Sequence, residues 1–359
     1  MTGGSVAVRL PAALTSSGTV SPHAGPEGGP SQRSSWLNLV DRIGDFWILG
    51  VLGLMILAFG LLSPGHDLFS RASWLNTSQF AVEFLILAVG QTFVIITGGI
   101  DLSDGAVLGF TGMVSGAVMQ SMLSQGAGGL LTTVTGFAVA LVLGGAIGFV
   151  NGYLITRLKL PPFIVTLGSL TAIGAGPSLI NGGNEVSNLP NQISTIGSTE
   201  IGSWVYVTVL IAAGVFIVMG FVLHRTRFGL RTYAVGSNNL GARRAGINVD
   251  RHLVMVYTIS GVLAGLAGMM VMANLDVATP LAGQNDELNA IAAVVIGGAS
   301  LFGGRGHMLG TVVGTFIIAL LVTGLVLVGV SGSWQQVATG IIIVFAVAID
   351  QVRLRLAER

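Results

Sequence analysis

Apolar segments long enough to cross a lipid bilayer recur along almost the whole chain. A transmembrane helix needs about 17–25 mainly apolar residues to cross the hydrocarbon core. Ten segments of about this length are predicted as spans, of which 288–302 is the shortest: residues 46–62, 80–97, 105–123, 129–155, 161–180, 203–223, 253–275, 288–302, 308–330 and 334–349. Only 9% of the 359 residues are charged, against about 25% in a soluble domain. The sequence therefore predicts an all-α polytopic membrane protein with about ten transmembrane helices.

Composition also excludes some kinds of bond and partner, and it predicts the character of the two ends of the chain. The sequence has no Cys, which excludes disulfides and thiolate metal sites, and its net charge of +1 does not favour nucleic-acid binding. We predict no catalytic residue, no metal site and no cofactor.

Residues 1–44, rich in Gly, Ser and Pro at their start, are predicted as a disordered cytoplasmic tail. A permease domain at 45–350 and a second cytoplasmic tail at 351–359 follow.

Basic residues predict the orientation. Cytoplasmic loops of membrane proteins are enriched in Lys and Arg. When the ten spans are drawn with both termini in the cytoplasm, every one of the 16 Lys and Arg residues except Arg71 lies on the inner side. We therefore predict that both termini are cytoplasmic.

Ionisable groups are scarce within the predicted spans. Glu83 is the one charge plainly inside a span, and we expect it near the outer end of its helix, in contact with water. Ion-coupled carriers bind their coupling ion with such groups deep in the bilayer, so the pattern favours a neutral polar solute. An ion-coupled carrier and a passive channel are the rival classes.

The chain has no means of binding ATP through a phosphate-binding loop. Such a loop needs Gly-Lys followed by Ser or Thr, and the single Lys, Lys159, lies between Leu158 and Leu160. If ATP drives this protein, another polypeptide hydrolyses it.

Two glycine-rich segments interrupt apolar runs. Gly98-Gly99 is expected to end one helix, and Asp101, Ser103 or Asp104 to cap the next. A structural reversal and a contact with solute are both open interpretations of this segment, and Gln91 is a better candidate for a hydrogen bond, either to solute or between helices. Residues 297–306 repeat the pattern of an aliphatic run, Gly-Gly, two residues and Leu, and an internal duplication and chance are both open explanations of the repeat.

The polar basic segment 225–252 is predicted to carry a short cytoplasmic helix. Ser237 is its expected N-cap and Gly246 its C′ residue, which leaves about two turns between them. Leu240 lies on one face and Arg243 and Arg244 on another. From spacing alone, an interfacial helix and a helix that docks into a partner are equally good interpretations.

Several motifs in the same order resemble those of the membrane-spanning permeases of bacterial ribose-type (monosaccharide) ABC importers. The most specific are residues 90–103 (GQTFVIITGGIDLS), 233–249 (YAVGSNNLGARRAGINV) and 290–306 (AIAAVVIGGASLFGGRG). Asn151-Gly152 and the later segment 162–168 (PFIVTLG) also fit. The resemblance covers about residues 45–350 and implies the ABC importer permease fold.

The resemblance also implies partners and site residues. It implies a second permease copy (identical or closely related), cytoplasmic ABC ATPase subunits, a periplasmic or lipid-anchored solute-binding protein, and surrounding membrane lipid. The implied translocation path includes Gln91, Asp101, Ser103, Asn151 and Phe163. The residues implied to couple to the ATPase are Asn238, Leu240, Arg243, Arg244 and Gly246.

The motifs depart from the family pattern in two places. Asp104-Gly105-Ala106 stands where Val-Gly-Ser is usual, and an Arg often found after the Thr-Leu-Gly segment is absent. Both departures argue against ribose itself as the solute. A branched-chain amino acid permease is the nearest alternative, because its fold is related and its solutes are also net neutral.

Overall fold

The protein is almost entirely helical in a computed structural model, which describes residues 35–357. In chain order the helices are α1 (Ser35–Leu62), α2 (Arg71–Ile96), α3 (Asp104–Ser124), α4 (Gly129–Arg157), α5 (Pro162–Gly174), α6 (Gly176–Ile180), α7 (Asn191–Ser198), α8 (Val207–Arg225), α9 (Arg227–Ser237), α10 (Asn239–Arg244), α11 (Val249–Leu275), α12 (Asp286–Ile296), α13 (Met308–Leu327) and α14 (Gly332–Ala357). A short antiparallel hairpin pairs β1 (Glu200–Ile201) with β2 (Val205–Tyr206).

Within the part of the chain that the structure describes, seven segments are long and apolar enough to cross a membrane. They are α2, α3, α4, the combined segment Pro162–Ile180, α8, α11 and α13. This agrees with the predicted class, an all-helical polytopic membrane protein. It also agrees with seven of the ten predicted spans.

Two of the remaining predicted spans lie within long helices, residues 46–62 within α1 and residues 334–349 within α14. The third, residues 288–302, differs from the structure. Helix α12 has 11 residues and rises about 16 Å, roughly half of the hydrocarbon core. The expected span 288–302 is therefore a half-length helix followed by a loop, because glycines end the helix where the apolar run continues.

The predicted tails lie partly outside the described residues. Residues 1–34 and 358–359 are not described, so the expectation of disorder there has no structural counterpart. Within the described part, α1 begins at Ser35 and α14 continues to Ala357. Both helices thus extend into segments that the sequence predicted as tails.

Helices α2 and α11 form the centre of the bundle. Every residue of α2 from Phe84 to Ile96 is buried, and α11 packs against α2, α3 and α4. A helix that is apolar on all sides is expected in such a central position.

Glycines allow α4 and α11 to approach closely. A Cβ atom at Gly144 would overlap the carbonyl of Gly261, and one at Gly148 would overlap the carbonyl of Tyr257. Small residues at helix contacts are a common solution in membranes, where close packing replaces the hydrophobic driving force. This contact fixes α4 against the central helix.

We expect Gly148→Val to destabilise the protein, because the new side chain would push α4 away from α11. Overpacking of this kind costs about 1–3 kcal/mol. Gly168→Val is the matched control, since a Cβ at Gly168 meets nothing within 4 Å. Thermal unfolding in detergent should show a lower midpoint for Gly148→Val alone; equal midpoints would contradict the packing argument.

Candidate functional site

Helix α2 ends in a glycine cap. Gly98 has a φ of 81°, and its N–H donates to the Ile95 carbonyl at 2.9 Å. The Gly99 N–H donates to the Val94 carbonyl at 3.1 Å. This is the Schellman arrangement, in which a left-handed residue satisfies the last carbonyls of a helix.

Helix α12 ends in the same way. Gly298 has a φ of 90°; its N–H donates to the Val295 carbonyl at 2.9 Å, and the Ala299 N–H donates to the Val294 carbonyl at 3.1 Å. The repeated sequence pattern thus corresponds to a repeated structure. The two caps differ by one position within the Gly-Gly pair. The left-handed residue is the first glycine of the pair after α2 and the second glycine of the pair after α12.

The two helix ends meet at α9. The Gly304 N–H, in the loop after α12, donates to the Ile96 carbonyl at the end of α2 (2.8 Å). The Tyr233 hydroxyl on α9 donates to the Gly306 carbonyl at 2.7 Å, and a Cβ at Gly236 would overlap the Ile96 carbonyl. Burial raises the pKa of Tyr233, which keeps its hydroxyl protonated as a donor. We call this contact of α2, α9 and the loop after α12 the helix-end junction.

A buried polar network holds the loop between α2 and α3. The Asp101 carboxylate accepts hydrogen bonds from the Ser103 N–H (2.9 Å) and hydroxyl (2.6 Å). Asn151 on α4 donates to the Ser103 hydroxyl at 2.9 Å and accepts from the Ser169 hydroxyl on α5. Gln91 donates from its amide to the Asp101 carbonyl at 2.8 Å. The network therefore ties α2, α4 and α5 to one loop.

The structure brings together four of the five residues implied for a translocation path. Gln91, Asp101, Ser103 and Asn151 are each no more than 1% exposed, whereas Phe163 on α5 is 51% exposed and stands apart from the network. Ser169 was missed by sequence reasoning, because nothing local links it to Asn151.

The expected cap of α3 is not formed. Ser103 occupies the N-cap position but its side chain makes no capping hydrogen bond. Its hydroxyl donates instead to Asp101, two residues earlier. Short polar side chains make such local alternatives to caps.

Acidic groups inside the bundle are more numerous than the sequence suggested. Asp104 and Glu287 are 1% and 5% exposed, so the expectation that Glu83 is the one charge inside a span is wrong. The two Asp104 oxygens accept from the Ser260 hydroxyl at 3.1 Å. Glu83 itself lies 12 residues into α2, because that helix begins well before the predicted span.

The short helix α10 is capped at both ends. The Asn238 side chain accepts from the Gly241 N–H at 2.8 Å, so the N-cap is Asn238 rather than the predicted Ser237, whose hydroxyl donates back to the Tyr233 carbonyl. At the other end Gly246, with a φ of 83°, closes the helix as predicted.

Helix α10 presents most of its polar and bulky side chains to the exterior. Ala242 is buried, in a small cluster with Val235 and Val249. Leu240 is 60% exposed, and Arg244 is exposed as well. Arg243 is also exposed and pairs with Asp250 at the start of α11. One side of α10 is thus packed against the rest of the protein, and the other side is exposed.

We expect Ser103→Ala to destabilise the loop, because Asn151 would lose its acceptor and the Asp101 carboxylate one of its donors. An unsatisfied buried polar group costs about 1–3 kcal/mol. Ser124→Ala is the control, since the exposed Ser124 hydroxyl donates only to the Ser121 carbonyl of its own helix. Thermal unfolding in detergent should separate the two variants. Equal stability of the two variants would contradict the claim that the buried network stabilises the loop.

Comparison with known proteins identifies relatives over most of the chain. Residues 73–347 match the family model described as the permease component of branched-chain amino acid transport systems. The ribose import permease RbsC of Bacillus subtilis is 38% identical over 318 residues, 87% of this chain and 94% of its own length. The fructose import permease FrcC of Rhizobium meliloti is 36% identical, over 84% of this chain and 83% of its own length.

A third relative is also named as a permease for a sugar. The D-allose transport system permease AlsC of Escherichia coli is 36% identical over 316 residues, 87% of this chain and 92% of its own length. The family model covers more than half of the chain, and the relatives cover more than two thirds. This confirms the resemblance drawn from the motifs. The chain belongs to the family of ABC transporter permease components and is a multi-pass protein of the bacterial inner membrane.

Proposed function

We propose that this chain is the translocation subunit of an ATP-driven importer for a monosaccharide. The observation that carries the proposal is that three similar proteins are named as permeases for ribose, fructose and allose, each over at least 84% of this chain. The family description names branched-chain amino acids instead, so an amino acid is an outcome that the test must be able to detect. The chain itself is a permease rather than an enzyme.

We propose that α10 seats on a cytoplasmic ATPase. A docking helix must keep its own shape while it exposes contact groups, and α10 has a cap at each end with Leu240, Arg243 and Arg244 outward. Helix α9 precedes it directly and belongs to the helix-end junction. A displacement of α10 by the ATPase would therefore move the ends of α2 and α12 together.

We propose ten spans with both termini in the cytoplasm. The three crossings added to the seven long segments are α1, α12 with its loop, and α14. Loops assigned to the inner side support this arrangement: Thr97, Lys159 and Arg243 line one cavity of about 620 Å³. Segments assigned to the outer side also meet, since Arg71 pairs with Glu200 of β1.

We propose that the loop 97–103 borders the solute path and that a second permease copy completes the path. Gln91, Asp101, Ser103 and Asn151 would set the position of this loop through the buried network. Phe163, exposed on α5, would face the path or the second copy. A periplasmic or lipid-anchored binding protein would deliver the sugar at the outer side.

Purification of the tagged chain from its native membrane tests this function. We expect an ABC ATPase and a solute-binding protein to co-purify, and mass spectrometry to find a monosaccharide in the binding protein. A branched-chain amino acid in that protein would favour the alternative solute. Recovery of the chain with no ATPase would overturn the proposal in favour of a carrier or channel.

We expect Gly246→Val to uncouple ATP hydrolysis from transport. A β-branched residue is strained at a positive φ, so the end of α10 would shift and the helix would seat poorly. We expect roughly tenfold weaker stimulation of ATPase activity by the loaded binding protein, which corresponds to about 1.4 kcal/mol. The assay uses the complete transporter in proteoliposomes.

Gly126→Val is the matched control for this experiment. Gly126 has a φ of 81°, and a Cβ there, as at Gly246, meets nothing within 4 Å. It also closes a helix, α3, but on the proposed outer side. Equal ATPase stimulation in both variants would refute the coupling role of α10.

We expect Gln91→Leu to slow sugar transport about tenfold while the ATPase stays bound, because the Asp101 carbonyl in the loop 97–103 would lose its buried donor, and an unsatisfied buried polar group costs roughly 1–3 kcal/mol. Gln120→Leu is the control, since the Gln120 amide donates to a backbone carbonyl at a similar distance, 2.9 Å, outside the network. Unchanged uptake by Gln91→Leu would exclude Gln91 from the path.

A further inference from the structure

A cavity of about 370 Å³ lies at the end of the bundle that carries Arg71 and the β hairpin. Helix α2 forms one wall with Asn76, Gln79, Phe80 and Glu83. These positions are three, four and seven residues apart, so they share one face of the helix. Helix α11, the loop after it and the first residue of α12 form the other walls.

The cavity offers hydrogen-bond acceptors that the protein leaves unused. The Asn274 Oδ1 atom is buried and has no hydrogen-bond partner within residues 35–357. The half-buried Glu83 carboxylate makes no hydrogen bond within the same residues, although Asp286 lies in the same cavity. Buried polar groups are normally satisfied, so these acceptors point to a ligand that donates hydrogen bonds.

One wall is held rigidly by close backbone contacts. A Cβ at Gly109 would overlap the Ala282 carbonyl, and a Cβ at Gly105 would overlap the Gly283 carbonyl, so the loop after α11 lies directly on α3. At its start, Ala278 pairs with Val186 through two backbone hydrogen bonds of 2.9 and 3.0 Å. The cavity is thus formed before a ligand enters.

The residues that line the cavity favour some classes of ligand over others. It contains two carboxylates and four amide side chains but no Lys, Arg or His, which disfavours an anion. Its volume exceeds that of a bare metal ion many times and lies in the range of small-molecule sites. Phe80 is 44% exposed and offers a flat apolar surface beside the acceptors. Vicinal hydroxyls with an apolar C–H face match this combination.

We propose that this outer cavity binds a monosaccharide, with Glu83 and Asp286 accepting hydrogen bonds from its hydroxyls. The inference rests on the proposed function. It adds a binding site that the sugar occupies after it leaves the binding protein and before it enters the translocation path. A carboxyl group offers two oxygen atoms as hydrogen-bond acceptors. Replacement of either group should therefore weaken sugar binding.

The test combines transport with direct binding. Uptake of radiolabelled D-ribose and D-fructose is measured in proteoliposomes with the complete transporter, for the unmodified chain, Glu83→Gln, Asp286→Asn and the control Glu185→Gln. Glu185 is exposed, carries the same charge and does not line the cavity. Saturation-transfer NMR on the detergent-solubilised chain, with the same two sugars, reports binding without transport.

We expect at least tenfold lower uptake for Glu83→Gln and Asp286→Asn, with loss of the NMR signal and normal stimulation of ATPase activity by the loaded binding protein. Glu185→Gln should behave as the unmodified chain. A sugar signal that survives in both cavity variants would overturn the inference, as would a signal with methylammonium in place of the sugars. If the unmodified transporter takes up no monosaccharide with ATP, including the sugar found in its own binding protein, the proposed function fails instead.

Discussion

The absence of water from the bilayer core constrains this fold more than any other condition, because each backbone group there needs a partner within the protein. The last helical residues of α2 and α12, Ile96 and Ile296, are buried, and the last carbonyls of these helices would lack partners without a special termination. Gly98 and Gly298 solve this with the same left-handed cap. The Gly304 N–H then satisfies the Ile96 carbonyl and joins the two ends. The helix-end junction follows from this requirement.

Helix α2 connects the two functional ends of the molecule. Its 26 residues rise about 39 Å, enough to cross the whole membrane. At one end it contributes Asn76 and Glu83 to the outer cavity, and at the other end it contacts α9, which leads directly to α10. Since α2 is buried through most of its length, a shift of its inner end would be transmitted through close-packed neighbours rather than absorbed. With α10 seated on an ATPase and a sugar in the outer cavity, as proposed, α2 would connect ATP hydrolysis to the solute.

The sequence predicted the parts of this structure that depend on local patterns. Apolar runs identified the long spans, and Gly246 was recognised as the end of α10. Features that depend on distant residues were missed: Ser169 and Ser260 partner Asn151 and Asp104 from other helices, and no spacing rule connects them. The cap at Ser103 failed for a related reason, because its hydroxyl had a better local partner in Asp101. Helix α12 was assigned too long because apolar composition continues past its glycine cap.

The central claim is that the two ends of the bundle have different tasks, with α10 facing the ATPase in the cytoplasm and the cavity facing the exterior. The chain contains no Cys, so a single introduced Cys gives an unambiguous label. The most direct measurement is the reaction of Leu240→Cys and Glu185→Cys with a membrane-impermeant maleimide, in intact cells and in inverted vesicles. The account predicts that residue 185 reacts only in intact cells and residue 240 only in inverted vesicles. Labelling of residue 240 from outside intact cells would contradict it.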